Sequence, residues 1–490
     1  MEGTTIAGPP RPLVKSFVDQ ARRTPEATAL VWRGHSVGYG ALLARAERER
    51  DRMAALPAGA PAALPAVKSP GTIALILGCL LARRPLLLPS PALGADVTER
   101  LYEQAGVGHV LAPGRPPAAR RSPTVDLSGN ALLLTTSGST GLPKIVPLSS
   151  TALDQFVTWA AGAFGIGPGT TVLNYAPLNF DVCLLDVWTT LARGGRVVLV
   201  DAERVTDGGR LLALVERERP EVVQSVPMFY RLLADAARAG GRTLPSVRHA
   251  VFTGDTMPVP VVAALPGLLP HARLYNVYGC TETNDSFLYE LRGTPDPARP
   301  LPLGQPLPGV EALLVDAEGR VLDGPGSGEL YVSTPFQSEG YLGAAAASGA
   351  FVPHPEGADD RRWFRSGDLV RRSPDGTLTL VGRTDFQVKI LGVRVNPQEV
   401  EHLLLAHPDV TEAAVRAVPD PAAGHTLRAV ARRRPGSRLN SLSLRGHLAQ
   451  RLSRAAIPAA LLITDEPLPR TATGKVDRER AGHVHFTEES

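Results

Sequence analysis

Residues 132–144 place a buried-strand pattern next to small, hydroxylated side chains that suit the binding of phosphate. Three leucines and two threonines predict a strand end. Glycine backbone N–H groups, hydroxyls and a lysine follow, and together they can hold phosphate oxygens. These candidate residues are Thr136, Ser137, Gly138, Ser139, Thr140, Gly141 and Lys144. Pro143 before Lys144 excludes the common loop that ends in Gly-Lys-Ser/Thr, and a glycine-rich surface turn is the alternative.

A second polar cluster follows the predicted strand at residues 273–277. Asn276 can hydrogen-bond the edge of a base and Tyr278 can stack on it. Thr281 can contact a phosphate, and Glu282 can hold a divalent cation. A polar turn that caps a helix would account for Thr281 and Glu282 alone, but it would leave the rest of the cluster unexplained.

Three more residues later in the chain have chemistry that suits a nucleotide. Asp368 follows Gly367, a geometry suited to the two hydroxyls of a ribose, although a single aspartate of this kind is more often a turn residue. Arg383 lies in a Gly-Arg-Thr-Asp sequence. Lys475 lies on a glycine-containing loop near the end, where a lone lysine would normally be solvated.

Alternating strand and helix patterns surround these residues. Strand-like segments at 172–175, 196–200, 221–224, 249–252 and 273–277 are separated by helical stretches. This alternation predicts a mostly parallel sheet covered by helices on both faces, with ligands bound beyond the carboxyl ends of its strands.

Beyond residue 309 the pattern changes. Short alternating runs and an Asp-Gly turn at 375–376 predict a small antiparallel or β-barrel-like subdomain. We therefore predict an α/β protein with a large N-terminal domain, residues 1–384, whose sheets are mostly parallel and flanked by helices. An α+β C-terminal domain, residues 385–490, follows it.

Composition excludes several classes of protein. The 490 residues carry 52 basic and 48 acidic side chains, and the densest basic runs are short, which argues against nucleic-acid binding and would suit an acidic protein partner. Three scattered cysteines give neither a disulfide framework nor a zinc site. Without a secretion signal or an uninterrupted apolar span, we expect a cytoplasmic protein that does not enter a membrane.

In their order and separations, these segments resemble the adenylate-forming superfamily, and most closely the amino-acid-activating adenylation domains of nonribosomal peptide synthesis. The resemblance covers residues from about 12 to 480. It implies that the residues from Thr136 to Lys144 form a mobile loop over the β- and γ-phosphates of ATP. It also implies that Asn276 and Tyr278 contact adenine, Asp368 binds the ribose, and Arg383 makes a further nucleotide contact.

The resemblance assigns the remaining roles as well. Glu282 is similar to the magnesium ligand, beside Thr281 as a catalytic residue, so ATP and Mg²⁺ are the expected cofactors. Lys475 is similar to the lysine that bridges the substrate carboxylate and the α-phosphate. Asp385 matches the hinge about which the small domain rotates. The loop from Lys389 matches the one that replaces the terminal lysine after that rotation.

The same alignment implies that Asp181 pairs with the α-amino group of an amino acid, a charge pair that a fatty or aryl acid could not satisfy. The alternative is that Asp181 caps an apolar helix at 182–191. The implied pocket has mostly small side chains and one acid: Val182, Leu185, Ser225, Val251, Thr253, Val277, Asp285 and Ser286. An inward Asp285 would favour a hydroxyl or ammonium on the substrate.

Two departures from the family pattern are visible. Cys280 stands where proline is usual, and Leu391 stands where arginine is common, so we predict no arginine contact in thioester formation. No carrier domain follows Lys475 in the sequence, so the expected thiol acceptor is the phosphopantetheine of a separate carrier protein, or coenzyme A. The expected function is amino acid adenylation followed by carrier loading. An acyl- or aryl-coenzyme A ligase and an inactive binding protein are the alternatives.

Overall fold

A computed structural model describes residues 12–57, 60–121, 123, 125–127, 129–136, 143–238, 240–293, 300–384, 388–390, 393–420, 424–450, 452, 456–471 and 475–486. Its α-helices pack apolar faces against the sheets. They are α1 Pro12–Arg23, α2 Tyr39–Ala54, α3 Pro70–Leu81, α4 Ala95–Gln104, α5 Ser150–Phe164, α6 Thr190–Ala192, α7 Gly208–Glu218, α8 Pro227–Arg238, α9 Val259–Leu268, α10 Pro397–Leu405, α11 Ser441–Ala449 and α12 Arg478–Phe486.

The strands of the first half of the chain are β1 Thr28–Trp32, β2 His35–Gly38, β3 Ala62–Ala63, β4 Leu86–Leu87, β5 His109–Val110, β6 Ala118–Ala119, β7 Asn130–Thr136, β8 Lys144–Ser149, β9 Thr171–Asn174, β10 Arg196–Leu199, β11 Val222–Ser225 and β12 His249–Phe252. Those of the second half are β13 Arg273–Cys280, β14 Asn284–Leu291, β15 Gln305–Pro306, β16 Glu311–Val315, β17 Gly326–Ser333, β18 Phe351–Val352, β19 Trp363–Arg372, β20 Leu378–Arg383, β21 Val388–Ile390, β22 Val393–Val395, β23 Val410–Asp420, β24 Gly424–Arg433 and β25 Ala460–Thr464.

A nine-stranded sheet in the order β15-β14-β13-β12-β11-β9-β10-β1-β2 forms the centre of the large N-terminal part. The strands from β13 to β1 are parallel, as the alternating pattern predicts, and antiparallel strands cover both edges. A six-stranded sheet, β6-β5-β3-β4-β7-β8, carries the strand before the predicted phosphate loop. One shared apolar cluster packs between the two sheets and includes α3, whose residues 72–80 are buried.

The predicted small β subdomain is an antiparallel sheet of β16, β17, β19, β18 and β20. The turn at 375–376 joins β19 to β20 as predicted, and Gly376 has a φ of +83° there. Residues 388–486 form a sheet of β23, β24 and β25 and a hairpin of β21 and β22 around a separate apolar core. The mixed α/β fold is therefore confirmed, whereas the boundary at 384/385 stays a prediction.

One helix differs from its prediction. The segment expected as an α-helix at 182–191 is a π-helix over Leu184–Thr189 that continues into α6. Its N-cap residue is Cys183, and no side chain caps it. The interpretation of Asp181 as a helix cap is therefore wrong. Wide π turns are frequent at functional sites, which agrees with the place of Asp181 at this helix entrance.

Candidate active site

The parallel strands bring the predicted site residues to one edge of the central sheet. Ser225 ends β11, and Thr253 directly follows β12. Residues 276–283 lie at the carboxyl end of β13 and in the turn after it. Gly279 permits this turn, because a Cβ there would lie 2.2 Å from the carbonyl oxygen of Asn284. The sequence prediction of a shared crevice agrees with this arrangement.

Tyr278, Asp368 and Arg383 form one hydrogen-bonded group. The Tyr278 hydroxyl donates to Asp368 Oδ2, and Arg383 Nη1 lies 3.0 Å from Asp368 Oδ1. Burial raises the pKa of Tyr278 well above its usual value, and the Asp368 charge adds to this rise. The phenol therefore remains a proton donor, and the Asp368 carboxylate is oriented from two sides.

The turn before Asp368 is also built to hold this carboxylate. Gly367 has a φ of +71°, and a Cβ there would lie 2.6 Å from Arg383 Nη2. The Ser366 hydroxyl accepts from the Asp368 N–H at 3.0 Å, and the Thr384 hydroxyl donates to the Gly367 carbonyl at 3.1 Å. A glycine is needed here because a side chain would displace the arginine.

A hydrogen bond to a backbone carbonyl orients the side-chain amide of Asn276. Its amide Nδ2 donates to the carbonyl of Pro302 at 2.8 Å. The amide thus presents its oxygen, an acceptor, as the group that can meet a ligand. An acceptor suits the exocyclic amine of adenine, the contact that the sequence resemblance implies.

Glu282 is held by a residue that sequence reasoning missed. Tyr341 donates its hydroxyl to Glu282 Oε1 at 2.6 Å, and Lys144 Nζ lies 4.7 Å from the centre of the Tyr341 ring. Burial and the Glu282 charge raise the pKa of Tyr341. The structure therefore joins the predicted metal ligand to the lysine at the rim of the phosphate loop. Nothing in the spacing of Tyr341 relates it to Glu282, so only the fold reveals this contact.

Replacement of Tyr341 by phenylalanine removes one hydrogen bond to the Glu282 carboxylate. If Glu282 holds Mg²⁺, as the resemblance implies, we expect the half-maximal Mg²⁺ concentration for activity to rise about tenfold, because bonds to charged groups contribute about 1.5–3 kcal/mol. Tyr102→Phe, in α4 beside Arg120, is the matched control. An unchanged Mg²⁺ requirement in Tyr341→Phe would show that this contact does not orient the metal ligand.

Asp181 lies near Thr281, Glu282 and Lys475. Its Oδ1 accepts from the Val182 N–H at 3.0 Å. Burial raises the pKa of Asp181, and hydrogen bonds from the Thr281 hydroxyl and the Val182 N–H oppose that rise. The nearby Glu282 charge adds to the rise and the Lys475 charge opposes it. Thr281, expected at a phosphate, thus contacts Asp181, and these four predicted residues lie together.

Lys475 is exposed on a short loop that closes on itself. Arg470 and Val476 form an isolated β-bridge, and the Thr471 N–H donates to the Lys475 carbonyl at 2.8 Å. This closure holds the backbone of the lysine from both sides. The Lys475 charge is close enough to Asp181 to lower the pKa of that carboxyl.

Most of the other predicted pocket residues are buried near this edge, whereas Val182 is half-buried just before the π-helix. Leu185, Val251 and Val277 belong to the central apolar cluster. The Ser286 hydroxyl is used locally, since it bonds Thr283 Oγ1 at 3.1 Å and the Asn284 carbonyl at 3.2 Å. The remaining residues of the predicted substrate pocket are Val182, Ser225, Thr253 and Asp285.

Gln224 is a second residue that the sequence prediction missed. It precedes Ser225 on β11, pairs in register with Val251, and lies close enough to Asp285 to lower the pKa of that carboxyl. The sequence feature that could have identified Gln224 is a polar residue near the end of an apolar, buried strand. Strand alternation places it on the same face as Val251, which directs it toward the predicted pocket.

The small C-terminal part contacts the large part through α8. Arg231 donates to the Thr411 carbonyl at 2.6 Å and to Glu412 at 3.0 Å. Glu412 is 4% exposed and also bonds Arg470, at the base of the Lys475 loop, at 2.8 Å. A cavity of about 480 Å³ lies beside these contacts, and Lys475 is among its lining residues.

Arg231→Ala removes the contact between α8 and Glu412. Because it leaves a buried carboxylate with fewer partners and loosens the base of the Lys475 loop, we expect about tenfold lower kcat for adenylation with KM values unchanged within about twofold. Arg242→Ala, whose partner Glu216 lies in the same part of the fold, is the control. A change confined to KM would contradict this role.

Several predicted residues lie outside the described part of the chain. They are Ser137, Gly138, Ser139, Thr140, Gly141 and Asp385. Thr136 ends β7 and Lys144 begins β8 on either side of that loop, and Lys389 lies in β21. The phosphate loop and the hinge therefore stay predictions. Among the described residues, no cluster of three or more metal-ligating side chains occurs, and no helix there is long and apolar enough to span a membrane.

Comparison with solved structures identifies the class of fold. The structure of ATP-bound MatB from Rhodopseudomonas palustris matches with a TM-score of 0.82 at 23% identity, covering 97% of this chain and 99% of that chain. The two proteins share a large N-terminal and a small C-terminal part around the same arrangement of sheets.

Sequence comparison identifies the family. The model for AMP-binding enzymes matches residues 114–342, and that for the AMP-binding enzyme C-terminal domain matches residues 399–475. The L-proline--[L-prolyl-carrier protein] ligases of Streptomyces coelicolor and Pseudomonas fluorescens are 36% and 34% identical. The matches cover 72% and 71% of this chain and 65% and 67% of those proteins. The chain belongs to the AMP-binding enzyme family, within the adenylate-forming superfamily.

Proposed function

We propose that this protein uses ATP and Mg²⁺ to convert an amino acid into its aminoacyl adenylate and then transfers the aminoacyl group to a carrier protein. The observation that carries this proposal is Asp181, a half-buried carboxylate within electrostatic reach of both Glu282 and Lys475. A charge in that position requires a cation on the substrate, and the α-ammonium group of an amino acid supplies one.

The proposed first step forms one bond and breaks another at phosphorus. A carboxylate oxygen of the amino acid attacks the α-phosphorus of ATP, and the bond to the β-phosphate oxygen breaks, which releases pyrophosphate. Negative charge accumulates on the phosphoryl oxygens during this step. The Lys475 ammonium, brought near Asp181, is placed to stabilise that charge.

The residues present fit the nucleotide and the metal. Asp368 would hold the ribose hydroxyls, Asn276 and Tyr278 the adenine, and Glu282 a magnesium ion, which prefers one or two carboxylates together with substrate phosphates. Magnesium, when bound, would offset charge on the phosphates. Tyr341 orients the Glu282 carboxylate at 2.6 Å and so leaves its other oxygen for the metal.

In the proposed second step, the phosphopantetheine sulfur of a separate carrier protein attacks the carbonyl carbon. The carbon–oxygen bond to AMP breaks, and the thiol proton is lost. The names of the relatives from S. coelicolor and P. fluorescens support a carrier protein as the acceptor. The chain spans 65% of the length of the first of these relatives, so their substrate is not assigned to it.

Two alternatives are weaker. The substrate of an acyl- or aryl-coenzyme A ligase would supply no ammonium group to pair with Asp181. An inactive binding protein would have no need of Lys475, Glu282 and Asp368 in one crevice. We further propose a role in nonribosomal peptide or related antibiotic biosynthesis. The proposed location is the cytoplasm, and the proposal includes no nucleic acid or membrane partner.

Amino-acid-dependent exchange of pyrophosphate into ATP tests this function. The panel comprises the twenty common amino acids, D-alanine, β-amino acids, diamino acids and aryl acids. Exchange with at least one amino acid supports the proposal. Exchange only with acids that lack an amine would establish the ligase alternative, and no exchange with any acid would favour the inactive relative.

A further inference from the structure

Three carboxylates lie in or behind the predicted substrate pocket: the half-buried Asp181 and the buried Asp186 and Asp285. Asp186 is fully buried in the π-helix, and Asp285 is 9% exposed on β14. Asp181 is close enough to raise the pKa of Asp285, and Asp285 is close enough to raise that of Asp186. Charges this close in a buried region require compensation from a cation or a proton.

Asp186 has its compensation within the protein. Asn174 Nδ2 lies 3.2 Å from Asp186 Oδ2. Burial raises the pKa of Asp186 well above its usual value, and the Asn174 hydrogen bond and the Lys68 charge oppose that rise. Lys68 itself donates to the carbonyls of Asn174 and Tyr175 at 3.3 and 2.9 Å. We therefore assign Asp186 a structural place behind the pocket.

Asp285 has no such compensation. Among the described residues, the groups that act on its carboxylate are Asp181 and the Gln224 side chain, and neither is a cation. Burial, together with Asp181, raises the pKa of Asp285 to about 7. Because this pKa is close to neutral pH, a bound cation can displace the proton from the carboxyl at little cost.

A second observation points to a ligand with several N–H donors. Gln224 and Ser225 are 1% and 3% exposed, and no hydrogen-bond partner of Gln224 Oε1 or Ser225 Oγ lies among the described residues. The Gln224 side chain lies near Asp285, since it acts to lower the pKa of that carboxyl. A buried acceptor without a partner is costly, so a bound donor is expected beside Asp285.

We infer that the substrate is a diamino acid, whose α-ammonium pairs with Asp181 and whose second ammonium pairs with Asp285 and donates to Gln224 Oε1. This inference rests on the proposed function. A primary ammonium has three donors and no acceptor, which matches a site made of acceptors. Leu185, Val251 and Val277 supply apolar walls for the methylene groups between the two amines.

Neutral substrates fit this site less well. A hydroxyl or amide could bond a protonated Asp285 but would leave its charged form unpaired. An apolar side chain would leave both Asp285 and Gln224 Oε1 without a partner. Sites built from buried polar groups discriminate strongly against analogues that lack the matching group.

A substrate series tests the inference without any mutation. Pyrophosphate exchange is measured with 2,3-diaminopropionate, 2,4-diaminobutyrate, ornithine and lysine, and with alanine, 2-aminobutyrate, norvaline, norleucine, homoserine, glutamine and proline. We expect one diamino acid to exceed every neutral amino acid by about 100-fold in kcat/KM. A neutral amino acid as the best substrate would overturn the inference while leaving the proposed function intact. No exchange with any member of this series, together with exchange by the aryl acids of the first panel, would overturn both.

Asp285→Asn then tests the residue itself. We expect kcat/KM for the diamino acid to fall about 100-fold, while values for its neutral counterpart stay within about threefold or rise. Asp323→Asn, at an exposed position, is the matched control. Thermal unfolding establishes that the variant is folded. A folded Asp285→Asn protein that keeps its preference for the diamino acid would contradict the assignment, and the substrate series decides the question if the variant does not fold.

Discussion

Replacement of Lys475 by alanine is expected to lower the rate of adenylate formation by about 100- to 1,000-fold, the usual effect of removing one group that stabilises developing charge. The lysine is exposed on a loop that closes at Arg470 and Val476, and its charge reaches Asp181. Because no described residue forms an ion pair with this exposed lysine, its loss should affect catalysis far more than folding. The measurement is single-turnover formation of aminoacyl-AMP.

The Lys475→Ala variant should slow adenylate formation but not transfer to the carrier protein. If the small domain rotates after adenylation, as the family resemblance implies, Lys475 leaves the crevice before the thiol attacks. Transfer from preformed aminoacyl adenylate to the carrier should then remain within about threefold of the unmodified protein. Lys15→Ala, on the exposed face of α1, is the matched control. Equal loss of both steps would show that one arrangement of the two domains serves the whole reaction.

The architecture was predictable because its signals are periodic. Alternating strands and helices identified the parallel centre of the nine-stranded sheet, and the turn at 375–376 identified the β19–β20 hairpin. Parallel strands end at a common edge, so residues that follow different strands could be placed in one crevice from sequence order alone. This reasoning placed Asn276, Tyr278 and Glu282 together.

Contacts between distant segments were not predictable in the same way. Tyr341 reaches Glu282 across 59 residues of sequence, and Arg231 reaches Glu412 across 181. No local pattern encodes either contact, because the partners meet only when separate sheets pack. Gln224 escaped detection for another reason. One polar residue in an apolar strand is also expected of an ordinary buried amide.

The π-helix at Leu184–Thr189 shows that apolar periodicity predicts a helix but not the type of helix. An apolar run at this place fits an α-helix equally well, since helix type depends on hydrogen bonds to the backbone and not on apolar spacing. The Thr189 hydroxyl donates to the Leu184 carbonyl at 2.7 Å, and that of Thr190 to the Leu185 carbonyl at 3.3 Å. These hydroxyls satisfy carbonyls in the wide turn beneath Asp181.

Replacement of Asp181 by asparagine is expected to raise KM for the amino acid by about 100-fold, equivalent to about 2.7 kcal/mol, while KM for ATP changes by less than about twofold. The substitution keeps the size of the side chain and its acceptor for the Val182 N–H, and removes the charge. The effect should fall on the amino acid because the described nucleotide-side contacts, Tyr278 with Asp368 and Arg383 with Asp368, do not involve Asp181.

Steady-state kinetics with each substrate varied in turn measure KM for the amino acid and KM for ATP separately. Asp323→Asn is again the control. A common rise in both KM values would indicate that the crevice had been distorted, so thermal unfolding is measured alongside. A folded variant with an unchanged KM for the amino acid would show that the α-ammonium is bound elsewhere. In that case Asp285, the other carboxylate of the pocket, would become its partner, because a buried charge pair requires a counter-ion at one of these two positions.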